Sequence, residues 1–234
     1  MQAVILAGGI GTRLKPLTEK VPKTMIPVYG RPFLEYQLSL LKRSGISNVV
    51  LCIGYLGSKI KKHFGNGEKF GLKISYSEEG NKLLGTAGAL KKAERLLEDE
   101  FFVTYGDAYL MLDYRGVMQR FKKSKKLGLM VVYKNFDKYD RSNVVVGGGL
   151  VKVYSKKRKA PGMVYIDFGV SAFRKEALAL VPKNKVVDLE DLNQKLIEKG
   201  ELLAFETDQR FYEVGGPESL KEFEALMSSG KIKI

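Results

Sequence analysis

Between Gln2 and Tyr133, short and almost uninterrupted apolar runs alternate with amphipathic stretches of helical length. That alternation restricts the chain to an α/β fold with a mainly parallel sheet, because parallel neighbours need crossover helices and bury both faces of each strand. Strands are expected over 2–7, 48–53, 72–76, 101–105 and 127–133, and helices over 33–44, 57–64, 87–97 and 114–124. After Asn135 the pattern changes. Strands over 144–146, 150–154 and 163–173 follow closely, joined by Gly147-Gly148-Gly149 and by a basic Pro/Gly loop, which is the pattern of a hairpin with an antiparallel return. Such an insert could form a lid. Helices over 175–180 and 189–199, a strand over 202–206 and a last helix from Pro217 complete the chain. Without an internal repeat or a long linker, we expect one domain over 1–234, with a distinct antiparallel portion over about 135–175.

The chain has 234 residues, of which 44% are hydrophobic, enough for a full core. Its N-terminus enters the apolar stretch Ala3–Ala7 directly, too short to span a bilayer and without the basic start of a signal peptide, so a cytoplasmic protein with no membrane partner is expected. A single cysteine, Cys52, excludes an internal disulfide, and its apolar neighbours point to a buried strand position. The formal charge of +14 is compatible with nucleic acid or with small polyanions drawn to a cleft. The basic runs Lys122–Lys126 and Lys156–Lys159 lack interleaved aromatics, which argues against a single-strand platform and for no nucleic-acid partner. The lone histidine, His63, lies near the end of a lysine-rich helix, and a surface role is expected for it.

The first strand runs into Ala7-Gly8-Gly9-Ile10-Gly11-Thr12-Arg13-Leu14-Lys15. Glycines after a parallel strand let backbone N–H groups approach a phosphate, at the sheet edge where α/β proteins bind ligands. The loop is not a Walker A sequence, since no Gly-Lys-Ser/Thr ends it. Nor is it a dinucleotide fingerprint, since Leu14 stands where the third glycine would be. Arg13 and Lys15 directly behind the glycines, then Pro22-Lys23, add fixed cations.

This run, from Leu6 to Leu14 with Pro16-Leu17-Thr18 and Pro22-Lys23, resembles the signature of the sugar-1-phosphate nucleotidyltransferases, and the likeness extends over nearly the whole chain. The resemblance implies a Rossmann-like three-layer α/β sandwich and transfer of a nucleoside monophosphate from a nucleoside triphosphate (NTP) to a sugar 1-phosphate, with Mg2+ as cofactor. Backbone groups of Leu6, Ala7, Gly8, Gly9, Gly11 and Thr12 would meet the base and phosphates, Arg13 the leaving pyrophosphate, and Lys23 the reaction centre. The chemistry agrees: attack on an α-phosphorus surrounded by negative charge calls for fixed cations and a metal, not a covalent nucleophile.

The same resemblance implies that Asp107, after the strand over 101–105, is one metal ligand. Glu213 in Phe211-Tyr212-Glu213-Val214-Gly215 would be the second, standing where the family usually has Asp. The loop Leu84-Gly85-Thr86-Ala87-Gly88 resembles the base-recognition loop, placing Gly85 and Thr86 at the nucleotide, with Glu78 or Glu79 upstream as acceptor from a base N–H. For the sugar phosphate the candidates are Lys156, Asp167 and Gly169. Two departures stand here: Ser155 precedes the lysine where the family often has Glu, and Asp167-Phe168-Gly169 replaces the usual Asn-Ala-Gly. The short form looks like the compact heptose-, mannose- and N-acetylmuramate-phosphate transferases, which makes guanine or uracil the expected base and a stand-alone transferase the expected form. The sequence leaves the sugar and a homo-oligomer open. The competing reading is a non-catalytic nucleotide or sugar-phosphate sensor on the same fold, distinguished by triphosphate binding without magnesium-dependent turnover.

Overall fold

The computed structural model describes residues 1–80 and 82–230; the last four residues of the expected domain lie outside that range. The first half contains strands β1 (Gln2–Ala7), β2 (Pro27–Val28), β3 (Arg31–Pro32), β4 (Asn48–Ile53), β5 (Lys73–Glu78), β6 (Glu100–Tyr105) and β7 (Ala108–Leu110). Its helices are α1 (Phe33–Arg43), α2 (Gly57–Phe64), α3 (Gly85–Ala93) and α4 (Tyr114–Ser124). The second half contains β8 (Gly128–Lys134), β9 (Val144–Gly147), β10 (Leu150–Tyr154), β11 (Tyr165–Arg174), α5 (Leu189–Glu198), β12 (Leu202–Thr207), β13 (Phe211–Glu213) and α6 (Pro217–Ser228). The segment Lys175–Leu180, expected as a helix, is a 3-10 helix.

Nine strands form one sheet in the order β5-β4-β1-β6-β11-β8-β12-β10-β9. Side chains alternate across it with the two-residue period of a strand. Ala3, Ile5, Val49 and Leu51 face a core layer shared with Leu34 and Leu38 of α1, Ile60 and Phe64 of α2, and Val117 and Phe121 of α4. Val4, Val50 and Cys52 face the opposite layer, with Ala87 and Leu90 of α3 and Leu192 and Leu196 of α5. Helices therefore cover both faces, as a three-layer sandwich requires.

The sheet is mixed. Strands β5, β4, β1 and β6 are parallel neighbours, as are β8 and β12, but β11 runs antiparallel between β6 and β8. The strand expected in an insert thus lies in the middle of the sheet, and β9 and β10 extend the same sheet at its edge instead of forming a separate lid. Spacing along the chain revealed the β9–β10 hairpin, which turns through Gly148 and Gly149. It carried no information about the pairing of β11 with β6, whose partners are some seventy residues apart in sequence, as Ser171 and Val103 are.

The sheet register sets up the ligand edge. Leu6 lies level with Cys52 and Tyr105, so β1, β4 and β6 end together, and the backbone N–H of Gly106 donates to Leu6 O at 3.0 Å. A small ribbon of β7 and β13, too short to be read from the sequence, pairs Glu213 with Ala108. It is backed by a third apolar cluster, where Phe223 of α6 packs edge-on against Phe33 and Tyr36 and beside Tyr109. The late segment that carries Glu213 is thereby held next to the end of β6.

Candidate active site

The glycine loop, the loop over 84–88 that is expected to meet the base, and the end of β6 enclose a cavity of about 370 Å³. Of the residues singled out in the sequence, Leu6, Ala7, Gly8, Gly9, Gly11, Thr12, Arg13, Lys23, Glu79, Gly85, Thr86 and Asp107 line it. Lys156, Asp167 and Gly169 stand outside this wall, beyond Tyr105, and Glu213 stands at its rim, with Gly215 in the lining. Thr24, Tyr105 and Asp188 line the cavity without having been singled out, since neither spacing nor the signature marks them. Cys52, placed correctly in a buried strand, also borders the cavity. Burial pushes its thiol up to about 12, so it is an inert wall residue.

Two glycines are explained by what they touch. Gly11 has φ of 69°, in the left-handed region, and a Cβ there would sit 3.0 Å from both Lys23 Cβ and Thr18 Cγ2, so the loop closes directly over Lys23. At Gly8 a Cβ would come within 2.3 Å of Glu79 Oε2, which brings the β1 loop and the Glu79 carboxylate face to face. Of the two acidic candidates upstream of the base loop, Glu79 turns inward, its Oε1 accepting from Leu84 N at 2.7 Å; Glu78 turns outward to Lys61 at 2.9 Å. Burial raises the Glu79 pKa, opposed by the Leu84 N–H and by Lys92.

The base loop is held by the segment that leads into α5. Val187 O accepts from Ala87 N at 2.9 Å and Gly88 N at 3.0 Å, and Val187 N donates to Leu84 O at 2.8 Å. Thr86 Oγ1 accepts from Leu189 N at 2.7 Å, and Asp188 Oδ1 accepts from Thr86 N at 3.3 Å. The Thr86 hydroxyl is thus occupied in joining two helix starts. Asp188→Ala is expected to lower stability by about 1 kcal/mol, the scale of one hydrogen bond to a charged acceptor near the surface, and to loosen the loop over 84–88 at the cavity wall; denaturant titration and amide hydrogen exchange check the two parts.

At the end of β6, the Lys23 ammonium donates to Asp107 Oδ2. Val214 N donates to Asp107 O at 2.8 Å, which docks the β13 segment on Asp107. The Glu213 side chain is open to solvent on one side, yet crowding by the protein, then the Asp107 charge, raise its pKa, while Lys23 and Arg13 pull it down. These four charged side chains form one electrostatic group, with Gly215 against both Glu213 and Arg13.

Beyond Tyr105, Lys156 Nζ donates to Tyr105 Oη at 3.1 Å, and Lys156 N donates to Glu190 Oε1 at 3.1 Å. Burial alone would lower the Lys156 pKa, but Tyr105, Asp167 and Glu190 outweigh it and push it up to about 12, so the ammonium stays charged. Asp167 is already engaged: Oδ2 accepts from Tyr154 Oη at 3.0 Å and Oδ1 from Gly169 N at 2.9 Å. His63 pairs with Glu35 at 2.7 Å, away from this cavity, in the surface role expected for it.

A three-layer α/β sandwich with a glycine loop, fixed cations and two carboxylates at the carboxyl ends of its strands defines a phosphate-handling protein of the nucleotide-binding class. The sequence profile of the family described as "Nucleotidyl transferase" matches residues 2–229, and the chain belongs to that family. It is 32% identical over 223 residues to the D-glycero-alpha-D-manno-heptose 1-phosphate guanylyltransferase of Campylobacter jejuni, covering 95% of this chain and 98% of that protein. It is 37% identical over 120 residues to the N-acetylmuramate alpha-1-phosphate uridylyltransferase of Neisseria meningitidis, about half of each protein (51% and 52%). Among solved structures, HddC from Yersinia pseudotuberculosis complexed with GMP-PN superposes with a TM-score of 0.79 at 27% identity, covering 97% of this chain and 99% of that one. A structure titled as a putative glucose-1-phosphate thymidylyltransferase from Bacillus anthracis, with sucrose, has the same fold, with a TM-score of 0.85 at 24% identity over 100% of this chain and 97% of that one.

Proposed function

We propose that this chain transfers a nucleoside monophosphate from an NTP to a sugar 1-phosphate, releasing pyrophosphate, with GTP as the preferred donor. The observation that carries the reading is the single cavity in which the glycine loop, Arg13, Lys23, Asp107 and the base loop converge. Family membership and the guanylyl- and uridylyltransferase relatives support it. It is read as one domain, working in the cytoplasm, without nucleic acid or membrane.

The division of labour follows from charge and position. Backbone groups of the Gly8–Thr12 loop approach the triphosphate, and Arg13 binds the leaving pyrophosphate. Lys23 sits at the α-phosphate, where charge builds up during attack. Lys156 binds the phosphate of the incoming sugar, which brings its oxygen toward the α-phosphorus from the far side of Tyr105. Asp107 and Glu213 suit a divalent cation: burial and the neighbouring Asp107 charge make the Glu213 carboxylate costly to ionise, and magnesium is commonly held by one or two carboxylates with substrate phosphates and water. Among the described residues no three His, Cys, Asp or Glu side chains form a self-contained metal cage, in keeping with a cation shared with the nucleotide. When bound, that cation would neutralise charge on the phosphates; orientation of both substrates is left to the cations of the chain.

Guanine is favoured over uracil by Glu79. An ionised carboxylate only accepts hydrogen bonds, and guanine presents N1–H and N2–H as adjacent donors, whereas uracil offers N3–H flanked by two carbonyl oxygens that a carboxylate would repel. Pyrophosphate release from GTP, UTP, dTTP, CTP and ATP, each with mannose 1-phosphate, glucose 1-phosphate and a heptose 1-phosphate, with and without magnesium, tests the proposal. Magnesium-dependent release with GTP is expected. Triphosphate binding with no release across the matrix would favour the sensor reading. Glu79→Gln is expected to lower kcat/KM for GTP by about tenfold or more, the scale of a lost charge-assisted hydrogen bond, while UTP changes less.

A further inference from the structure

We propose that Tyr105 is the positioning residue for the sugar-phosphate lysine: its phenol fixes the Lys156 ammonium at the boundary between the nucleotide cavity and the sugar-phosphate side. The inference rests on the assignment of Lys156 to the sugar phosphate.

Lysine is a point charge on a flexible four-carbon stem, and holding it in one place costs side-chain entropy. Lys156 is held at two points by groups from different elements. Its backbone N–H is anchored to Glu190 of α5, and its Nζ is anchored to Tyr105 of β6, with the ammonium 4.8 Å from the centre of the Tyr105 ring. The same tyrosine thus supplies both a hydrogen-bond acceptor and a π face, contacts that bind the ammonium without neutralising it. Among the described residues no carboxylate lies within ion-pair distance of Lys156; Asp167 and Glu190 act on it only from farther off, so the ammonium keeps room for a direct contact with an anion. A carboxylate in place of the phenol would compete with the sugar phosphate for the same cation.

The placement of Tyr105 is firm. It ends β6 opposite Leu6, and its carbonyl accepts from the buried Gln37 amide at 2.8 Å, so the backbone that carries the phenol is fixed from both sides. It also lines the nucleotide cavity. One rigid side chain therefore borders the triphosphate and holds the cation for the second substrate, which aligns the two phosphates before reaction.

The test is calorimetric binding of mannose 1-phosphate, glucose 1-phosphate and a heptose 1-phosphate to the full chain in the presence of a non-hydrolysable GTP analogue, for wild type, Tyr105→Phe, Lys156→Ala and the double variant. Tyr105→Phe keeps the ring and removes only the hydroxyl. We expect it to weaken sugar-phosphate binding about tenfold, a clearly larger loss than any change in affinity for the GTP analogue. In the Lys156→Ala background the same change should have no further effect beyond about twofold, since the tyrosine would act only through that lysine. Wild-type affinity in Tyr105→Phe, equal loss of nucleotide affinity, or losses that simply add would each overturn the inference. If Lys156→Ala binds as wild type, or the wild type binds none of the three sugar phosphates, the assignment of Lys156 fails and the inference falls with it. A loss in Lys156→Ala without one in Tyr105→Phe would overturn the positioning role alone.

Discussion

Replacing Asp107 with alanine is expected to lower kcat about 10²–10³-fold while leaving a folded protein, the range seen when one preorganised charge contact at a reacting centre is lost. The residue lies in the turn just after β6, the strand beside β1, and that turn is built for close approach: a Cβ on Gly106 would lie 2.6 Å from Thr24 Cγ2. Its main-chain contacts, Gly106 N to Leu6 O and Val214 N to Asp107 O, do not involve the side chain, so truncation should spare the fold. What it removes is half of the carboxylate pair and the partner of Lys23. Rates measured over a magnesium titration should show both a lower maximum and a higher magnesium requirement. Full activity in a variant with wild-type circular dichroism would remove Asp107 from the mechanism.

The second large effect is expected for Lys23→Met, again about 10²–10³-fold in kcat, because methionine keeps most of the stem and removes the cation proposed to act at the α-phosphate. Its consequence for folding should differ from that of Asp107→Ala. Loss of Asp107 relieves Glu213 of a like charge, whereas loss of Lys23 leaves Asp107 and Glu213 facing each other with Arg13 as the remaining cation among the charges that act on Glu213. Lys23→Met should therefore melt below Asp107→Ala in the absence of magnesium, and added magnesium should narrow the gap by compensating the carboxylates. Because Lys23 and Asp107 contact each other, the double variant should lose less activity than the two single losses multiplied. Fully multiplicative losses would show that the two act independently.

Much of the molecule was legible in its residues because the relevant physics is local. Alternating apolar runs and amphipathic stretches marked β1, β4, α2, α4 and β10 at the bounds the structure has, since burial on both sheet faces or on one helix face leaves its period in the sequence. The glycine loop was legible because Gly8, Gly11, Arg13 and Lys23 lie within sixteen residues, close enough for the run to resemble a known signature.

What the tertiary structure decided is everything that depends on which distant segments meet. Only packing puts β11 in the middle of the sheet, because a buried apolar strand fits any neighbour of matching register and direction. Only the β7–β13 pairing brings Glu213 to Asp107, more than a hundred residues earlier in the chain. Glu78 and Glu79 are chemically alike and adjacent; the alternation of a strand end turns one to solvent and Lys61 and the other toward Gly8. Tyr105 and Asp188 carried no signal, for a tyrosine ending an apolar strand and an aspartate before a helix are ordinary until a lysine and a base loop are folded against them. Sequence by itself determined the layers, the glycine loop and the positions of the cations beside it; the long-range contacts decided the surroundings of those charges, because electrostatic and hydrogen-bonding energies depend on distances that chain order does not encode.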